Sequence, residues 1–255
     1  MSPATRDEIM TVAAARSLRD GARCFVGIGL PSAAANLARR LHAPNLVLIY
    51  ESGTIGSKPD VLPLSIGDGE LAETADAVVS VPEIFAYWLQ AGRIDVGFLG
   101  AAQIDRHANL NTTVIGPYAS PRVRLPGAGG APEIAAFSGE VLVMMRHRPE
   151  AFVQQLDFVT TPGHLEGGDA RSRAGFKGRG PTRVITDLGV LEPHPESREL
   201  ILTNVHPGVS ADDVRDATGW RLKVADDVAE TEEPTVQELG VLRDLRERTE
   251  RAHLG

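Results

Sequence analysis

The chain has 255 residues, of which 42% are hydrophobic and 24% are charged, a length that fits one large domain or two small ones. Its formal net charge of −8 has the wrong sign for broad binding to a phosphate backbone, so we expect no nucleic-acid partner. No stretch approaches the roughly 18 unbroken apolar residues of a membrane-spanning helix. A single cysteine, Cys24, excludes an intramolecular disulfide and a thiolate-cluster metal site.

The first ten residues carry Asp7 and Glu8 before any apolar run. This pattern fits neither a secretory signal peptide nor an Arg-rich transit peptide. We therefore expect a cytoplasmic protein without a membrane anchor.

Short β-branched runs alternate with helical patterns, which is typical of an α/β domain with an open, mainly parallel sheet flanked by helices. The chain begins with a helix over 5–18, a strand over 22–28 and a helix that Ser32 would cap and that runs to Arg40. An apolar strand over 46–50 follows. Further strands are predicted over 77–81, 96–99, 141–145, 158–160, 183–186 and 200–204, and further helices over 82–90, 149–156, 211–217 and 235–251. We treat residues 1–255 as a single domain.

One segment, residues 163–180, is rich in glycine and arginine and has almost no apolar residue. Such a composition buries too little apolar surface to offset the entropy of ordering the chain. We interpret it as a flexible, exposed loop rather than a linker between domains.

The first candidate functional motif is Gly27-Ile28-Gly29-Leu30-Pro31, between a predicted strand and a predicted helix. Glycines there allow a ligand to approach the backbone closely, and a helix N-terminus offers unpaired N–H groups to a phosphate or carboxylate. The motif lacks the third glycine of a dinucleotide fingerprint. A tight strand-to-helix turn and a cofactor-binding role for Gly27 and Gly29 both remain open.

The second motif is Glu51-Ser52-Gly53, directly after an apolar strand. Ligands bind at the carboxyl ends of strands in α/β sheets, and a carboxylate at the end of a buried strand is either solvated, paired or kept for chemistry. Ser52 and Gly53 supply a compact turn that would leave Glu51 facing a cleft.

Two further loops carry polar or glycine-rich sequence. The first runs from Gln103 to Asn111 and on through two threonines, and its side chains are suited to bond either their own backbone or a ligand. The second contains Gly127, Gly129 and Gly130, whose backbone N–H groups are suited to form an anion nest or oxyanion hole. Both loops are equally compatible with plain structural turns.

Taken in register, the motifs GIGLP, YESG, SIGDGEL, GAAQID with NLNTT, RLPGAGGAPEIAAFS and DFVTTPGH resemble the β subunit of family I CoA-transferases, with glutaconate CoA-transferase as the nearest match. The resemblance runs from about residue 10 to about residue 218. One departure is Ala108-Asn109, where relatives have Gly-Asn. The resemblance implies a CoA-transferase-like fold and an active site shared with an α subunit on a separate chain.

In that family the catalytic residue is a glutamate in an E-S-G or E-N-G sequence, which falls here on Glu51. It attacks an acyl-CoA thioester and passes through a mixed anhydride to a glutamyl-CoA thioester, from which coenzyme A moves to a free carboxylic acid. The glycine loop would polarise the thioester carbonyl. The resemblance implies no permanently bound cofactor and no metal, with coenzyme A thioester as substrate.

The resemblance also implies binding roles around the nucleophile. Oxyanion or substrate contacts are expected from Ser52, Gly53, Gln103, Asn111, Gly127, Gly129 and Gly130. The alternative functions are a CoA-thioester hydrolase or decarboxylase on the same scaffold, and a nucleotide-binding or purely structural subunit. Glu51 favours transfer over the hydrolase and decarboxylase, in which that glutamate is replaced.

Overall fold

The computed structural model describes residues 2–253, so both ends of the predicted 1–255 domain lie outside the described residues. The chain forms two compact units. The first contains the residues up to Phe98 together with those from Glu233 onward, and the second runs from Leu99 to Glu232.

The described residues of the first unit form five helices, a π-helix over Ile84–Leu89 and five strands, the last of which ends one residue into the second unit. Its elements are α1 (Arg6–Arg16), β1 (Arg23–Phe25), α2 (Leu30–Arg40), β2 (Val47–Ile49), β3 (Thr54–Ile55), α3 (Gly69–Glu73), β4 (Ala77–Val78), α4 (Val81–Glu83), β5 (Val96–Leu99) and, from the C-terminal segment, α8 (Val236–His253). β1 lies between β2 and β5 and is parallel to both, with Cys24 opposite Leu48 and Val96. β3 and β4 extend the β2 edge in antiparallel order.

The second unit contains three helices and nine strands. They are β6 (Gln103–Ile104), β7 (Leu110–Asn111), β8 (Val114–Ile115), β9 (Val123–Arg124), α5 (Ala131–Phe137), β10 (Glu140–Met144), α6 (Ala170–Arg173), β11 (Pro181–Ile185), β12 (Gly189–Pro193), β13 (Leu200–Val205), α7 (Ala211–Asp216) and β14 (Lys223–Glu230). β10 and β11 are parallel, as are β13 and β14, whereas β11, β12 and β13 form an antiparallel meander. Two short hairpins, β6–β7 and β8–β9, stand apart from these strands.

The parallel pairs confirm the predicted α/β class, and the antiparallel strands add detail that the apolar pattern does not reveal. β3, β6, β7, β8 and β9 have two residues each, too short for alternation of apolar and polar residues to be visible. No helix within residues 2–253 is long and apolar enough to cross a membrane.

The predicted helix over 149–156 is wrong. Its backbone bonds to other segments instead, because Val153 N–H donates to Ile104 O at 3.0 Å and Phe152 O accepts from Gly219 N–H at 2.7 Å. Phe152 is fully buried and stacks on His147 with ring centroids 3.6 Å apart. Tertiary contacts therefore override a helical pattern in the sequence.

Two other predicted elements also differ. Residues 158–160 form no strand. Thr160 N–H donates to Leu110 O at 2.9 Å, and the adjacent Thr161 forms an isolated bridge with Leu110. The helix predicted over 82–90 is α4 followed by the π-helix, in which Gln90 N–H donates to Phe85 O. The Phe85 ring packs against Phe25 at a centroid distance of 6.0 Å.

The glycine- and arginine-rich segment over 163–180 follows a defined path that includes α6. Arg171 is 6% exposed, and its guanidinium donates to Gly163 O at 2.9 Å, to Gly178 O at 3.0 Å and to Ala135 O in α5. One buried cation thus ties this segment to itself and to α5, a contact that composition alone does not reveal.

Candidate active site

Glu51 lies at the tip of a tight hairpin between β2 and β3 in the first unit. Gly53 N–H donates to Tyr50 O at 3.0 Å, and Tyr50 N–H donates to Thr54 O at 3.0 Å. Glu51 and Ser52 are therefore the two central residues of the turn, and both are half-buried. The fold places a partly accessible carboxylate at the carboxyl end of a strand, as the sequence predicts for a ligand-facing group.

Gly53 is required by the hairpin. Its φ is +108°, and a Cβ at this position would collide with the carbonyl oxygen of Val79. Val79 N–H in turn donates to Gly53 O at 2.9 Å. The glycine of the Glu51-Ser52-Gly53 motif thus has a structural reason that is independent of any ligand.

The Gly27–Gly29 loop leads from β1 into α2. Gly29 has φ +77° and occupies the N-cap position of α2, with open space where a side chain would start. The prediction that Ser32 caps this helix is wrong, because the chain enters the helix at Leu30 and Ser32 is fully buried in its first turn. The first turn of α2 has no side-chain cap. Because Pro31 in that turn has no N–H and Ala33 N–H donates to Gly29 O at 3.0 Å, fewer amides than usual are suited to bind an anionic group.

A chain of buried polar groups lies beneath these two motifs. The Tyr50 hydroxyl and Ser32 Oγ are 3.1 Å apart, and the Asn36 amide donates to Ser32 O at 3.0 Å. All three side chains are fully buried. Burial raises the pKa of Tyr50 to about 12, so its hydroxyl keeps its proton at neutral pH.

Cys24 in β1 is also fully buried, and desolvation raises the pKa of its thiol. The thiolate form is therefore disfavoured, which excludes Cys24 as a nucleophile. Among residues 2–253, no three histidine, cysteine, aspartate or glutamate side chains lie together in a way that would hold a metal ion.

In the second unit, Gln103 and Asn111 bond to each other across the β6–β7 hairpin. Asn111 Nδ2 donates to Gln103 Oε1 at 2.7 Å and to Val114 O at 2.7 Å. Gln103 Nε2 donates to Asp157 Oδ2 at 2.9 Å. Both amides are nearly or fully buried, so their hydrogen-bonding capacity serves the loop structure.

The glycine loop is anchored to the same hairpin by Thr112. The Thr112 hydroxyl donates to Gly127 O at 2.7 Å, and Gly127 N–H donates to Thr112 O at 2.8 Å. The Gly127 amide is therefore already used. Gly129, at φ +50°, is exposed, whereas Gly130, the N-cap of α5, is buried.

The structure adds Tyr50 and Thr112 to the residues that shape these loops. In the sequence Tyr50 is the last residue of a predicted apolar strand, and nothing marks its hydroxyl as bonded to Ser32 in the preceding helix. Thr112 belongs to the polar NLNTT run, but its bond to Gly127 spans 15 residues and leaves no periodic signal.

Comparisons with known proteins identify the family of the chain. The model of the family described as coenzyme A transferase matches residues 7–217. The B subunit of 3-oxoadipate CoA-transferase from Pseudomonas knackmussii is 60% identical over 253 residues, which cover 99% of this chain and 97% of that protein. The B subunit of glutaconate CoA-transferase from Acidaminococcus fermentans is 35% identical, over 94% of this chain and 91% of that protein.

The crystal structure of glutaconate coenzyme A-transferase from Acidaminococcus fermentans superposes on this chain with a TM-score of 0.88, at 32% sequence identity and 94% coverage of both chains. A family match over most of the chain, relatives of such identity and a shared fold lead to one conclusion. The chain belongs to the coenzyme A transferase family.

Proposed function

We propose that this chain is the β subunit of a CoA-transferase that exchanges coenzyme A between an acyl-CoA thioester and a dicarboxylic acid of the 3-oxoadipate type. The substrate class is supported by the 60% identity to the B subunit of a 3-oxoadipate CoA-transferase. Because the relatives are named as B subunits, the active enzyme is a complex with an α subunit encoded separately. The isolated chain is expected to be inactive.

The observation that carries the proposal is the position of Glu51 at the tip of the β2–β3 hairpin. A carboxylate held there can attack the carbonyl carbon of an acyl-CoA thioester. The C–S bond breaks, coenzyme A leaves as a thiolate, and an acyl-glutamyl anhydride remains. The thiolate then attacks the glutamyl carbonyl, which releases the first acid and leaves a glutamyl-CoA thioester.

The second half of the cycle runs in reverse. The acceptor carboxylate attacks the glutamyl-CoA carbonyl, and the released thiolate attacks the acceptor side of the new anhydride. Glu51 is regenerated as a free carboxylate and the acceptor leaves as its CoA thioester. Each step exchanges one acyl bond for another, so the thioester free energy is retained as long as water is excluded.

The other predicted site residues take supporting roles in this proposal. Gly27 and Gly29 present the first amides of α2 to an anionic part of the substrate. Gly129 and Gly130 offer amides to a developing oxyanion. Gly53 and Ser52 shape the turn, while Gln103 and Asn111 hold the hairpin to which Thr112 anchors the glycine loop.

The experiment uses the chain co-expressed with its α subunit. The complex is incubated with succinyl-CoA and no acceptor, reduced with borohydride, and the peptide spanning 48–58 is analysed by mass spectrometry. We expect reduction of the Glu51 carboxyl to an alcohol. Glu51→Gln should abolish both the adduct and the transfer to 3-oxoadipate, while Glu73→Gln, which changes an exposed glutamate of the same unit, should alter neither.

Two outcomes would contradict the proposal. Transfer by Glu51→Gln above a few per cent of the parent rate, without an adduct in the parent, would remove Glu51 as the nucleophile. CoA release that proceeds equally without an acceptor acid would instead indicate a hydrolase. A larger kcat/KM for glutaconate than for 3-oxoadipate would correct the substrate class alone.

A further inference from the structure

We propose that Tyr50 and Ser32 form a buried tether, the Tyr50–Ser32 hydrogen bond, that positions the Glu51 hairpin for attack. Both are positioning residues rather than catalytic ones, since neither is placed against the substrate. The inference rests on the proposed role of Glu51 as the nucleophile.

The backbone of Tyr50 forms the base of the hairpin. Its N–H donates to Thr54 O and its carbonyl accepts from Gly53 N–H, each at 3.0 Å. Only two residues, Glu51 and Ser52, lie between these bonds. Any rotation of the Tyr50 backbone therefore moves the Glu51 carboxylate directly.

The hairpin is held on both sides of its tip. The Ser52 hydroxyl at the tip is buried and, among the described residues, has no hydrogen-bond partner. Val79 N–H donates to Gly53 O on one side of the turn, and on the other side Tyr50 has both backbone groups and its side chain engaged.

The side chain of Tyr50 connects that base to α2. Its hydroxyl lies 3.1 Å from Ser32 Oγ, and the Asn36 amide donates to Ser32 O at 3.0 Å and is 3.4 Å from Ser32 Oγ. Tyr50, Ser32 and Asn36 are all fully buried. Because the three side chains are fully buried, breaking the Tyr50–Ser32 bond removes a contact that bulk solvent does not replace.

Such a tether matters for the reaction because nucleophilic attack requires the reacting atoms within roughly 3–3.5 Å and in line. The tether joins the residue before the nucleophile to the first turn of α2, directly after the Gly27–Gly29 loop. It therefore fixes the two predicted substrate-facing motifs of the first unit with respect to each other.

The test uses the complex with its α subunit and the variants Tyr50→Phe, Ser32→Ala and the double variant. Tyr87→Phe, which changes a tyrosine that is 65% exposed, is the matched control. Amide hydrogen exchange of Tyr50 and Gly53, the two N–H groups that close the turn, should accelerate about fivefold in each single variant, the effect expected for loss of one buried hydrogen bond. It should stay unchanged in Tyr87→Phe.

The second readout is the rate of glutamyl-CoA formation in a single turnover. It should fall on the order of tenfold in each single variant with little change in KM, because binding is kept and geometry is lost. The double variant should be at most about twofold slower than the slower of the two single variants, because both substitutions remove the same bond.

Unchanged exchange at Tyr50 and Gly53, or an unchanged single-turnover rate, would overturn the tether, as would rate effects that multiply in the double variant. If Tyr50→Phe does not fold, Ser32→Ala carries the same test. A parent complex that forms no adduct would refute the proposed function instead, and the exchange measurement would still decide whether the tether holds the hairpin.

Discussion

Ala108 adopts φ +58°, a left-handed conformation that is unfavourable for a residue with a Cβ. It closes a turn in which Ala108 N–H donates to Asp105 O at 3.0 Å. The Asp105 carboxylate accepts from the N–H groups of His107 and Asn109 at 2.9 and 3.0 Å. These bonds hold Ala108 in a conformation that glycine adopts without strain.

Ala108→Gly should leave the stability unchanged to within about 1 kcal/mol. Relief of the left-handed strain stabilises the folded state by about 1–2 kcal/mol. The greater entropy of glycine in the unfolded chain and the loss of one buried methyl group together destabilise it by about the same amount, roughly 1–2 kcal/mol. The matched control is Ala35→Gly in α2, equally buried but helical, which should lose about 2 kcal/mol. Denaturant unfolding measures both, and equal losses would contradict a strained Ala108.

Three buried histidines make the stability depend on pH. Burial lowers the pKa of His147 to about 4 and that of His164 to about 4, and it lowers the pKa of His206 as well. His147 is held neutral between Thr218 Oγ1 at 2.9 Å and Thr186 Oγ1 at 3.3 Å. In the unfolded chain each imidazole takes up a proton near pH 6.5.

The unfolded state therefore binds more protons than the folded state between about pH 6.5 and pH 4, so stability is fully present above this window and is lost as the pH falls through it. His147 and His164 should each contribute about 1.4 kcal/mol per pH unit within the window, and the lowered pKa of His206 acts in the same direction. His147→Gln should reduce this slope by about one proton, while His253→Gln, at an exposed position in α8, should keep it. A slope that His147→Gln leaves intact would show that His147 titrates equally in both states.

At the scale of elements, Thr112 joins the β6–β7 hairpin to the glycine loop. Its hydroxyl and carbonyl engage both backbone polar groups of Gly127, and its own N–H donates to Thr160 Oγ1 at 2.9 Å. The loop is thereby fixed at the residue where it turns with φ +100°. The orientation of the Gly129 and Gly130 amides follows from that turn.

Thr112→Val, which keeps the shape but lacks the hydroxyl, should lower kcat on the order of tenfold if the loop acts as we propose, because its amides would be displaced from the developing oxyanion. Thr112→Ser retains the hydroxyl and should stay within about twofold of the parent. The melting temperature should fall by about 4 °C or less in both, as expected for one part-buried hydrogen bond. A kcat that Thr112→Val leaves unchanged would show that the glycine loop acts only as a connection.

The elements that sequence reasoning predicts well are those whose signal is local. The apolar run at 46–50 became β2, and the run at 96–99 became β5 with the same bounds. Glu51 follows from its place after such a run. By contrast, the path of residues 149–156 depends on hydrogen bonds to Ile104 and Gly219. The defined path of the 163–180 segment depends on the hydrogen bonds of the buried Arg171 guanidinium. Contacts between residues far apart in the chain produce no periodic pattern in the sequence from which they could be predicted.

The same distinction applies to the candidate site. The positions of Glu51, Gly53 and the glycine loop are recognisable in the sequence because glycines and a strand end mark them. Their supports are not recognisable, because the Tyr50 hydroxyl and the Thr112 hydroxyl act on residues 18 and 15 positions away. Gln103 and Asn111 look like ligand-binding amides in the sequence but bond to each other in the fold.

At the scale of the whole molecule, the chain leaves the first unit after Phe98 and returns to it at Glu233. The returning helix α8 packs on α1 and α2 with Leu239, Leu242 and Leu245 buried. It begins after Thr235, whose hydroxyl accepts from Glu238 N–H while the Glu238 carboxylate accepts from Thr235 N–H. Because the family match ends at residue 217, this helix completes the first unit from outside the matched region.

Two ion pairs attach α8 to α1. Arg16 donates to both carboxylate oxygens of Glu238 at 2.7 Å. Arg243 donates to both oxygens of Glu8 at 2.7 and 2.9 Å, and the Glu8 side chain is only 6% exposed. The Arg243 guanidinium is the main reason that the pKa of Glu8 is lowered to about 2.

Arg243→Met should therefore lower the melting temperature near neutral pH by about 5 °C or more, because it leaves a buried carboxylate without its cation. Stability from the lowered pKa of Glu8 is present above about pH 4.5 and is lost as the pH falls towards 2. The variant should accordingly lose less stability than the parent over that acid window. The matched control is Arg248→Met on the same helix. Its partners Asp244 and Asp60 are 61% and 81% exposed, so this substitution should shift the melting temperature by about 3 °C or less. Thermal unfolding followed by circular dichroism measures both variants, and equal shifts would show that the Glu8–Arg243 pair is no more important than a surface pair.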